Sequence, residues 1–210
     1  RGLGRTWPNP AVGCVLVKDG RVIGRGWTQP GGRPHAERMA LDAAGAAARG
    51  ATAYVTLEPC SHQGRTGPCC DALVQAGLDR IVVSMQDPNP RVSGQGLQRL
   101  RAAGIQVDMG LGESAARELN PGFIKRMTTG LPFVRMKIAA SLDGQTALMN
   151  GVSQWITSEA ARQDGHAWRA RACAVLTGIG TVLEDDPQLD VRLVDTPRQP
   201  TLVVVDSRLE

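Results

Sequence analysis

Two short apolar runs joined by an Asp-Gly turn lie near the start of the chain. AVGCVLV (residues 11–17) and RVIGRGW (residues 21–27) flank Lys18-Asp19-Gly20. An Asp-Gly pair between apolar runs favours a tight β-hairpin, because these residue types tolerate the positive φ that such turns require. Helical patterns then alternate with strand patterns: predicted helices cover 35–50, 69–78, 96–105 and 113–127, and predicted strands cover 51–57, 80–85 and 106–109. This order predicts a layered α/β fold around one sheet.

The pattern restarts near Gly130, so we predict one domain over residues 1–129 and a second over 130–210. In the second, residues 132–144 read as a strand followed by a loop, and 158–172 as a helix with Ser158 as its N-cap. A strand and turn at 173–183 and a strand at 200–207 follow. Only about 80 residues remain for this domain, which is short, so we expect it to be a partial one. The chain also lacks an initiator Met, which indicates that its numbering starts inside a longer protein.

Charge and cysteine usage narrow the class of partner. The net charge of +4 comes from scattered arginines rather than a basic cluster, so nucleic-acid binding is not predicted. No apolar run approaches the roughly 18 residues that span a bilayer, and the cytoplasm is the expected compartment. Five cysteines in a reducing compartment favour metal binding or catalysis over disulfides. Cys14 and Cys173 lie in apolar runs and are expected to be buried.

The remaining three cysteines lie in PCSHQGRTGPCC, residues 59–70, which follows a predicted strand and enters a predicted helix. His35-Ala36-Glu37 begins another helix. Strand carboxyl ends and helix amino ends meet along one edge of an α/β sheet, so we expect His35, Cys60 and one of Cys69 and Cys70 to meet there.

Two thiolates and one imidazole suit Zn²⁺ and leave a fourth position for water, as catalytic zinc sites require. Glu37 beside them would transfer protons. Zinc nucleobase deaminases carry H-x-E followed by P-C-x-x-C, with these roles, and this chain has the same order of residues with a longer spacing between the cysteines. The spacing alone does not choose between Cys69 and Cys70. A closed structural zinc site, or a histidine with idle thiols, is the alternative.

Longer stretches resemble the bifunctional riboflavin-biosynthesis deaminase/reductase family. They include PNPAVGCVLVKDGRVIGRGW, HAE, PCSHQGRTGPCC, QDPNPRVSGQGLQRLRAAGI, LNPGFIKRMTTGLPFVRMKIAASLDGQTA, SQWITS and TVLEDDPQLDVR. The resemblance covers nearly the whole chain. It implies a three-layer cytidine-deaminase-like domain over 1–129, followed by a partial dihydrofolate-reductase-like α/β domain over 130–210.

For the first domain, the resemblance assigns zinc to His35, Cys60 and Cys69, proton transfer to Glu37, the pyrimidine to Asn9, and the phosphoribosyl group to His62 and Arg65. The implied reaction is hydrolytic loss of the 2-amino group from 2,5-diamino-6-(5-phosphoribosylamino)pyrimidin-4(3H)-one, which yields 5-amino-6-(5-phosphoribosylamino)uracil.

For the second domain, the resemblance implies NADPH-dependent reduction of the ribosyl chain to ribityl. It assigns the cofactor to Ala139, Trp155, Thr181, Asp185 and Ser207, and the substrate to Lys137, Ser153, Arg169, Leu189 and Arg192. Without the resemblance, Lys137 would be interpreted as a solvent-facing strand lysine. If the second domain is incomplete, its reductase activity is doubtful.

The sequence also leads to expectations about the binding partner, the assembly and the competing functions. The partner is a small phosphorylated pyrimidine, with no nucleic acid and no membrane, and the assembly is a homo-oligomer, a dimer or tetramer. The competing functions are another zinc nucleoside, nucleobase or tRNA deaminase, or a zinc module without catalysis. The stretched Cys60–Cys69 spacing argues against the former, since a short C-x-x-C would be expected there.

Overall fold

The structure, a computed structural model, describes residues 1–209 and separates into two compact units. The first is Arg1–Phe133 and the second begins at Val134, whereas the sequence suggested a division after residue 129. No helix among the described residues has the length and apolar character needed to cross a bilayer.

The first unit is built on a five-stranded sheet in the order β2-β1-β3-β4-β5. Its strands are β1 (Gly13–Lys18), β2 (Arg21–Trp27), β3 (Thr52–Val55), β4 (Arg80–Val83) and β5 (Gln106–Met109). Its helices are α1 (Ala36–Ala44), α2 (Cys69–Gln75), α3 (Gln95–Ala102), α4 (Glu113–Leu119) and α5 (Pro121–Thr129). The predicted hairpin is confirmed, with Asp19 and Gly20 at φ of 49° and 71°.

The direction of each strand determines which loops meet. β1 runs antiparallel to both β2 and β3, whereas β3, β4 and β5 run parallel. The start of β1 therefore lies at the same edge as the ends of β3 and β4. This places the segment before β1 beside the segment after β3, although they are far apart in sequence.

The core lies between the sheet and the first three helices. Leu16, Ala53, Ile81 and Val83 of the strands pack with residues of the helices such as Leu73, and all of these are buried. A second, smaller cluster joins Leu57 and Met85 to Ala116 of α4, with Phe123 and Ile124 of α5 packed against it.

Helix α1 packs unusually close to β2 because β2 carries two glycines. A Cβ added at Gly26 would overlap the Ala36 carbonyl oxygen, and one added at Gly24 would overlap that of Ala40. Neither position needs a positive φ. The glycines are therefore explained by the close approach of the helix that begins next to His35.

Two predicted helices differ from the structure. The helix predicted for 35–50 is α-helical only to Ala44, where Gly45 adopts a φ of 53° and a 3-10 turn follows over Gly45–Ala48. The helix predicted for 113–127 is two helices that meet at Asn120-Pro121. Proline disfavours a helical conformation in the residue before it, which explains the break at Asn120.

The second unit contains α6 (Glu159–Arg171), β6 (Ala174–Gly178), α7 (Ile179–Asp185) and β7 (Thr201–Val205). β6 and β7 form a parallel two-stranded sheet. The predicted Ser158 cap is confirmed, since its hydroxyl accepts from Ala161 N at 3.2 Å.

Two predictions for this unit are wrong. The strand predicted within 132–144 is not formed, and the sheet of this unit consists of β6 and β7 in the described residues. Cys173 is exposed rather than buried, and the strand that follows it, β6, alternates exposed with half-buried residues.

Candidate metal centre

Three side chains that are distant in sequence converge at the edge where β3 and β4 end. His35 is the N-cap residue of α1, Cys60 follows β3, and Cys69 is the first residue of α2. Their ligand atoms all lie within 4.8 Å of one another. The His35 Nδ1 atom is 3.7 Å from Cys60 Sγ and 3.4 Å from Cys69 Sγ. The predicted meeting of these elements is confirmed.

The distances fit a tetrahedral zinc ion. Zinc bonds of about 2.3 Å to sulfur and about 2.0–2.1 Å to nitrogen place the sulfur and nitrogen atoms roughly 3.5–3.6 Å apart at the tetrahedral angle. The two measured separations lie on either side of that value. His35 makes no side-chain cap bond to α1, so its ring remains available to the metal.

Cys60 is held by the first turn of α2. Cys69 N donates to Cys60 Sγ at 3.3 Å, and Cys70 N donates to Cys60 O at 3.2 Å. The first amides of a helix have no intrahelical acceptor, so they are free to bind an anionic sulfur. The pKa of Cys60 is lowered to about 4, chiefly by hydrogen bonding to the Cys69 thiol and also by that to His35. The same bond to Cys60, together with burial, raises the pKa of Cys69.

Cys70 has a separate environment. Its thiol donates to Pro59 O at 3.2 Å and to Gly96 O at 3.6 Å, and burial raises its pKa to about 12. Cys70 Sγ is directed at these two carbonyl oxygens and is not among the ligand atoms that converge with those of His35 and Cys60. The geometry therefore supports Cys69, which spacing alone could not select.

Glu37 lies against the three ligands without being one of them. Its side chain is 4% exposed, and burial raises its pKa to about 7. The carboxyl and the Cys69 thiol are near enough for each to shift the pKa of the other. A carboxyl group in this position can carry protons to and from a molecule at the metal.

Of the other predicted residues of the first unit, Asn9 lies beside this centre, and His62 and Arg65 lie on the loop that joins two of its ligands. Asn9 Nδ2 donates to Gly32 O at 2.9 Å and is 3.4 Å from His35 Nε2. His62 and Arg65 are exposed on the loop between Cys60 and Cys69. Arg33, which the sequence analysis missed, donates from Nη1 to Thr66 Oγ1 of that loop at 2.7 Å. Because Arg33 lies two residues before the predicted ligand His35, its proximity to the site could have been predicted from the sequence.

A groove on the sheet of the first unit lies away from this centre. It has a volume of about 560 Å³ and covers the sheet face that presents Val15, Tyr54 and Val82. None of the metal-centre residues lines it.

Part of the predicted substrate set of the second unit is brought together. Arg169 on α6 donates from Nη1 to Asp190 O at 3.1 Å, and Arg192 N donates to His166 Nδ1 at 3.3 Å. Arg192 Nη1 lies 2.5 Å from Asp190 Oδ1, so both arginines contact Asp190. The pKa of Arg169 is lowered by burial and then by the charge of Arg192. Leu189 directly precedes Asp190 in sequence and has a φ of 55°.

The predicted cofactor residues are more dispersed. Thr181 and Asp185 are exposed on α7, Ser207 follows β7, and Arg162 stacks 4.4 Å above the Trp155 ring. Lys137 and Ala139 lie in the segment without a strand, and Ser153 is in a loop before Trp155. No hydrogen bond among the described residues connects the five cofactor positions to one another, so their shared role stays a prediction.

Comparison with known proteins assigns the two units to two domain types. A profile of the cytidine and deoxycytidylate deaminase zinc-binding region matches residues 3–85, and one of the RibD C-terminal domain matches residues 132–210. The riboflavin biosynthesis protein RibD of Escherichia coli is 56% identical over 99% of this chain and 60% of its own length. That of Aquifex aeolicus is 51% identical over 99% of this chain and 58% of its own length.

Solved structures of related proteins have a fold similar to that of this chain. Acinetobacter baumannii RibD is similar with a TM-score of 0.92 and 53% identity, over 100% of this chain and 61% of that one. A Thermotoga maritima diaminohydroxyphosphoribosylaminopyrimidine deaminase/5-amino-6-(5-phosphoribosylamino)uracil reductase is similar with a TM-score of 0.91 and 47% identity, over 98% of this chain and 59% of that one. The chain thus spans about three fifths of the length of these relatives. The first unit thus matches a cytidine-deaminase-type zinc-binding region and the second a RibD C-terminal domain, and the chain is similar to RibD proteins over almost its whole length.

Proposed function

We propose that the first unit is a zinc-dependent hydrolytic deaminase of riboflavin biosynthesis. The observation that carries the proposal is the three-ligand centre with a buried carboxyl group beside it. A structural zinc site normally has four protein ligands, whereas a catalytic site keeps one position open. The identity to RibD proteins over almost the whole chain supports the same assignment.

His35, Cys60 and Cys69 would hold the zinc ion, which when bound polarises a coordinated oxygen and lowers the pKa of water. Glu37 accepts a proton from the attacking water and delivers it to the ring nitrogen beside the attacked carbon. Glu37 then carries the proton of the new hydroxyl group to the amino nitrogen, so that the C–N bond breaks, the C–O bond becomes a carbonyl group, and ammonia leaves. Asn9, beside His35, is positioned to hold the pyrimidine edge during these transfers.

The proposed substrate is 2,5-diamino-6-(5-phosphoribosylamino)pyrimidin-4(3H)-one. Supporting this choice, the loop between Cys60 and Cys69 carries His62 and Arg65 and is bonded to Arg33. Cationic side chains suit a phosphate group. The Thermotoga relative is described as acting on this class of compound.

For the second unit we propose a part in the NADPH-dependent reduction of the ribosyl chain to ribityl. Support comes from the match to the RibD C-terminal domain and from Arg169 and Arg192, which both contact Asp190 and could bind a substrate phosphate together. Homo-oligomerisation and a cytoplasmic location stay predictions.

Ammonia release tests the proposed deamination. We expect the zinc-loaded chain to release ammonia from the phosphoribosyl diaminopyrimidine and not from cytidine or guanine. Turnover of a free base or nucleoside without turnover of the phosphorylated compound would contradict the substrate assignment. Zinc binding without turnover of any of the three would favour a zinc site that only stabilises the fold.

A further inference from the structure

The carboxylate of Glu58 binds four backbone amides. Oε2 accepts from Asp87 N at 3.1 Å and from Gly94 N at 2.9 Å, and Oε1 accepts from Gly96 N at 2.9 Å and Leu97 N at 3.4 Å. The side chain is 3% exposed, and no ion pair involving it occurs among the described residues. Amide donors alone therefore compensate the burial of this carboxylate.

Two of these donors belong to the first turn of α3. Gly94 is the N-cap residue of that helix and has no side chain with which to cap it. Glu58, which is remote in sequence, supplies the missing acceptor, and a negative charge at a helix amino end is stabilised by the helix dipole. Glu58 thereby fixes the start of α3 to the end of β3.

The start of α3 in turn confines the residue before the Cys60 ligand. A Cβ added at Gly96 would overlap the Pro59 carbonyl oxygen and would lie 3.1 Å from Cys70 Sγ. The same Pro59 oxygen accepts from the Cys70 thiol at 3.2 Å. The orientation of the Pro59 carbonyl group is therefore fixed by Cys70 of α2 on one side and by Gly96 of α3 on the other.

The body of α3 confines the residue after Cys60. Arg99 donates from Nη1 to Ser61 O at 3.2 Å, and its Nη2 is 2.8 Å from Asp71 Oδ1 of α2. Both neighbours of Cys60 are thus held by α3, whose position depends on Glu58.

Glu58 also closes the loop over residues 87–94, because Oε2 binds the amides at both of its ends. Within the loop, Asn89 N donates to Asp87 Oδ1 at 2.8 Å. The Asp87 carboxyl is within electrostatic range of His62 and Cys60, so this loop borders the metal centre.

We propose that Glu58 is a positioning residue that fixes the Cys60 ligand and the 87–94 loop relative to the other two zinc ligands. The expected loss of activity rests on the proposed deaminase function. The expected effects on zinc affinity and on the cobalt spectrum do not. Only a carboxylate offers acceptors on both oxygens: glutamine would direct an NH₂ group at amide donors, and aspartate is one methylene too short to reach both pairs.

Glu58→Gln in the full chain tests this role, with Glu118→Gln, the same change at an exposed position of α4, as the matched control. We expect Glu58→Gln to weaken zinc binding about 10- to 100-fold in a chelator competition, the usual effect of disturbing the surroundings of a metal ligand. The visible spectrum of the Co²⁺-substituted protein should change, because the Cys60 thiolate is displaced. Measured per bound metal, kcat should fall by a similar factor. Glu58→Asp should recover part of both losses.

A purely structural role predicts a lower melting temperature with an unchanged cobalt spectrum, and that result would overturn the proposal. So would zinc affinity within twofold of Glu118→Gln, or failure of both Glu58 variants to fold, which would make the contact a requirement of folding. If the unsubstituted chain binds zinc but does not deaminate, the deaminase assignment fails. The metal affinity and the cobalt spectrum still decide the role of Glu58 in that case.

Discussion

At the scale of single residues, the adjacent Cys69 and Cys70 have different roles because they are successive residues of the first turn of α2 and their side chains point in different directions. Cys69 Sγ lies 3.4 Å from His35 Nδ1, whereas Cys70 Sγ donates to the carbonyl oxygens of Pro59 and Gly96. Successive side chains of a helix point about 100° apart, so only one can face the metal. The sequence shows both thiols but not the rotation of the helix that separates them.

Substituting each cysteine tests this distinction. We expect Cys69→Ser to lose most of its bound zinc, because a hydroxyl group replaces one of only three ligands. Cys70→Ser should keep zinc near one equivalent, since serine can still donate to the Pro59 carbonyl. Metal content measured by mass spectrometry on desalted protein decides between them, and the reverse pattern would make Cys70 the ligand.

Glu37→Gln tests proton transfer separately from metal binding. The amide keeps the size of the side chain but cannot accept a proton, so deamination should fall by about 10²- to 10⁴-fold. Zinc content and melting temperature should remain close to those of the unsubstituted chain, because Glu37 is not among the ligands. Unchanged ammonia release from the phosphoribosyl diaminopyrimidine would remove Glu37 from the mechanism.

His166 provides a pH-dependent prediction in the second unit. Burial lowers the pKa of His166, and the charges of Arg169 and Arg192 lower it further, while Asp190 opposes them. The unfolded chain takes up a proton near the ordinary value of about 6.5, but the folded unit resists it. The stability of the unit should therefore be constant above about pH 7 and fall as the pH decreases through roughly 6.5.

The measurement is an NMR titration of the His166 ring, identified by its loss in His166→Asn, together with amide protection factors of the second unit against pH. Asparagine retains an acceptor near the position of Nδ1 but does not titrate, so the variant should lose the acid-side decline in protection. A ring pKa at or above 6.5 would contradict the prediction.

At the scale of secondary-structure elements, local signals predicted the existence of most helices and strands but not all of their limits. The hairpin and β3, β4 and β5 were predicted because their apolar runs are bounded by turn residues. The break at Asn120-Pro121 was missed although the proline was visible. Asn120 has a role that only the fold shows: its amide exchanges two 2.8 Å bonds with the backbone of Ala11, far away in sequence.

The contact of α1 with β2 leads to a prediction about Gly26. Gly26→Ala would push a Cβ into the Ala36 carbonyl oxygen and displace the helix that begins next to His35. We expect a loss of about 3 kcal/mol in the free energy of unfolding, the upper part of the range for overpacked cores, and weaker zinc binding.

Gly13→Ala is the control for Gly26→Ala. It lies in β1 and an added Cβ would meet only Thr56, at 3.8 Å. It should be neutral or stabilise by up to about 1 kcal/mol, because alanine loses less backbone entropy on folding. Equal effects of the two changes in urea titrations would refute the close-contact explanation.

At the scale of the whole molecule, the residues that the sequence did not reveal are those whose partners are distant along the chain. The zinc ligands could be predicted because their residue types are rare and their chemistry is specific. Glu58 and Arg33 belong to common residue types, and their roles depend on which loop the fold brings to them. Such contacts become visible only once the order of the strands is known.

The division into two units predicts how the molecule responds to loss of metal. His35, Cys60 and Cys69 join α1, the segment after β3, and α2, all within the first unit. A ligand that binds only the folded state at a thousand times its dissociation constant adds about 4 kcal/mol of stability. For a unit of this size, chelation should therefore lower the melting temperature of the first unit by roughly 10 °C or more. Hydrogen exchange followed by mass spectrometry, which reports each segment separately, should show the change in the first unit while α6, β6 and β7 keep their protection.

In Cys69→Ser the chelator should have little effect, because the metal is already absent. Equal loss of protection in both units would mean that they unfold as one cooperative body, and the metal would then stabilise the whole chain rather than the deaminase unit alone.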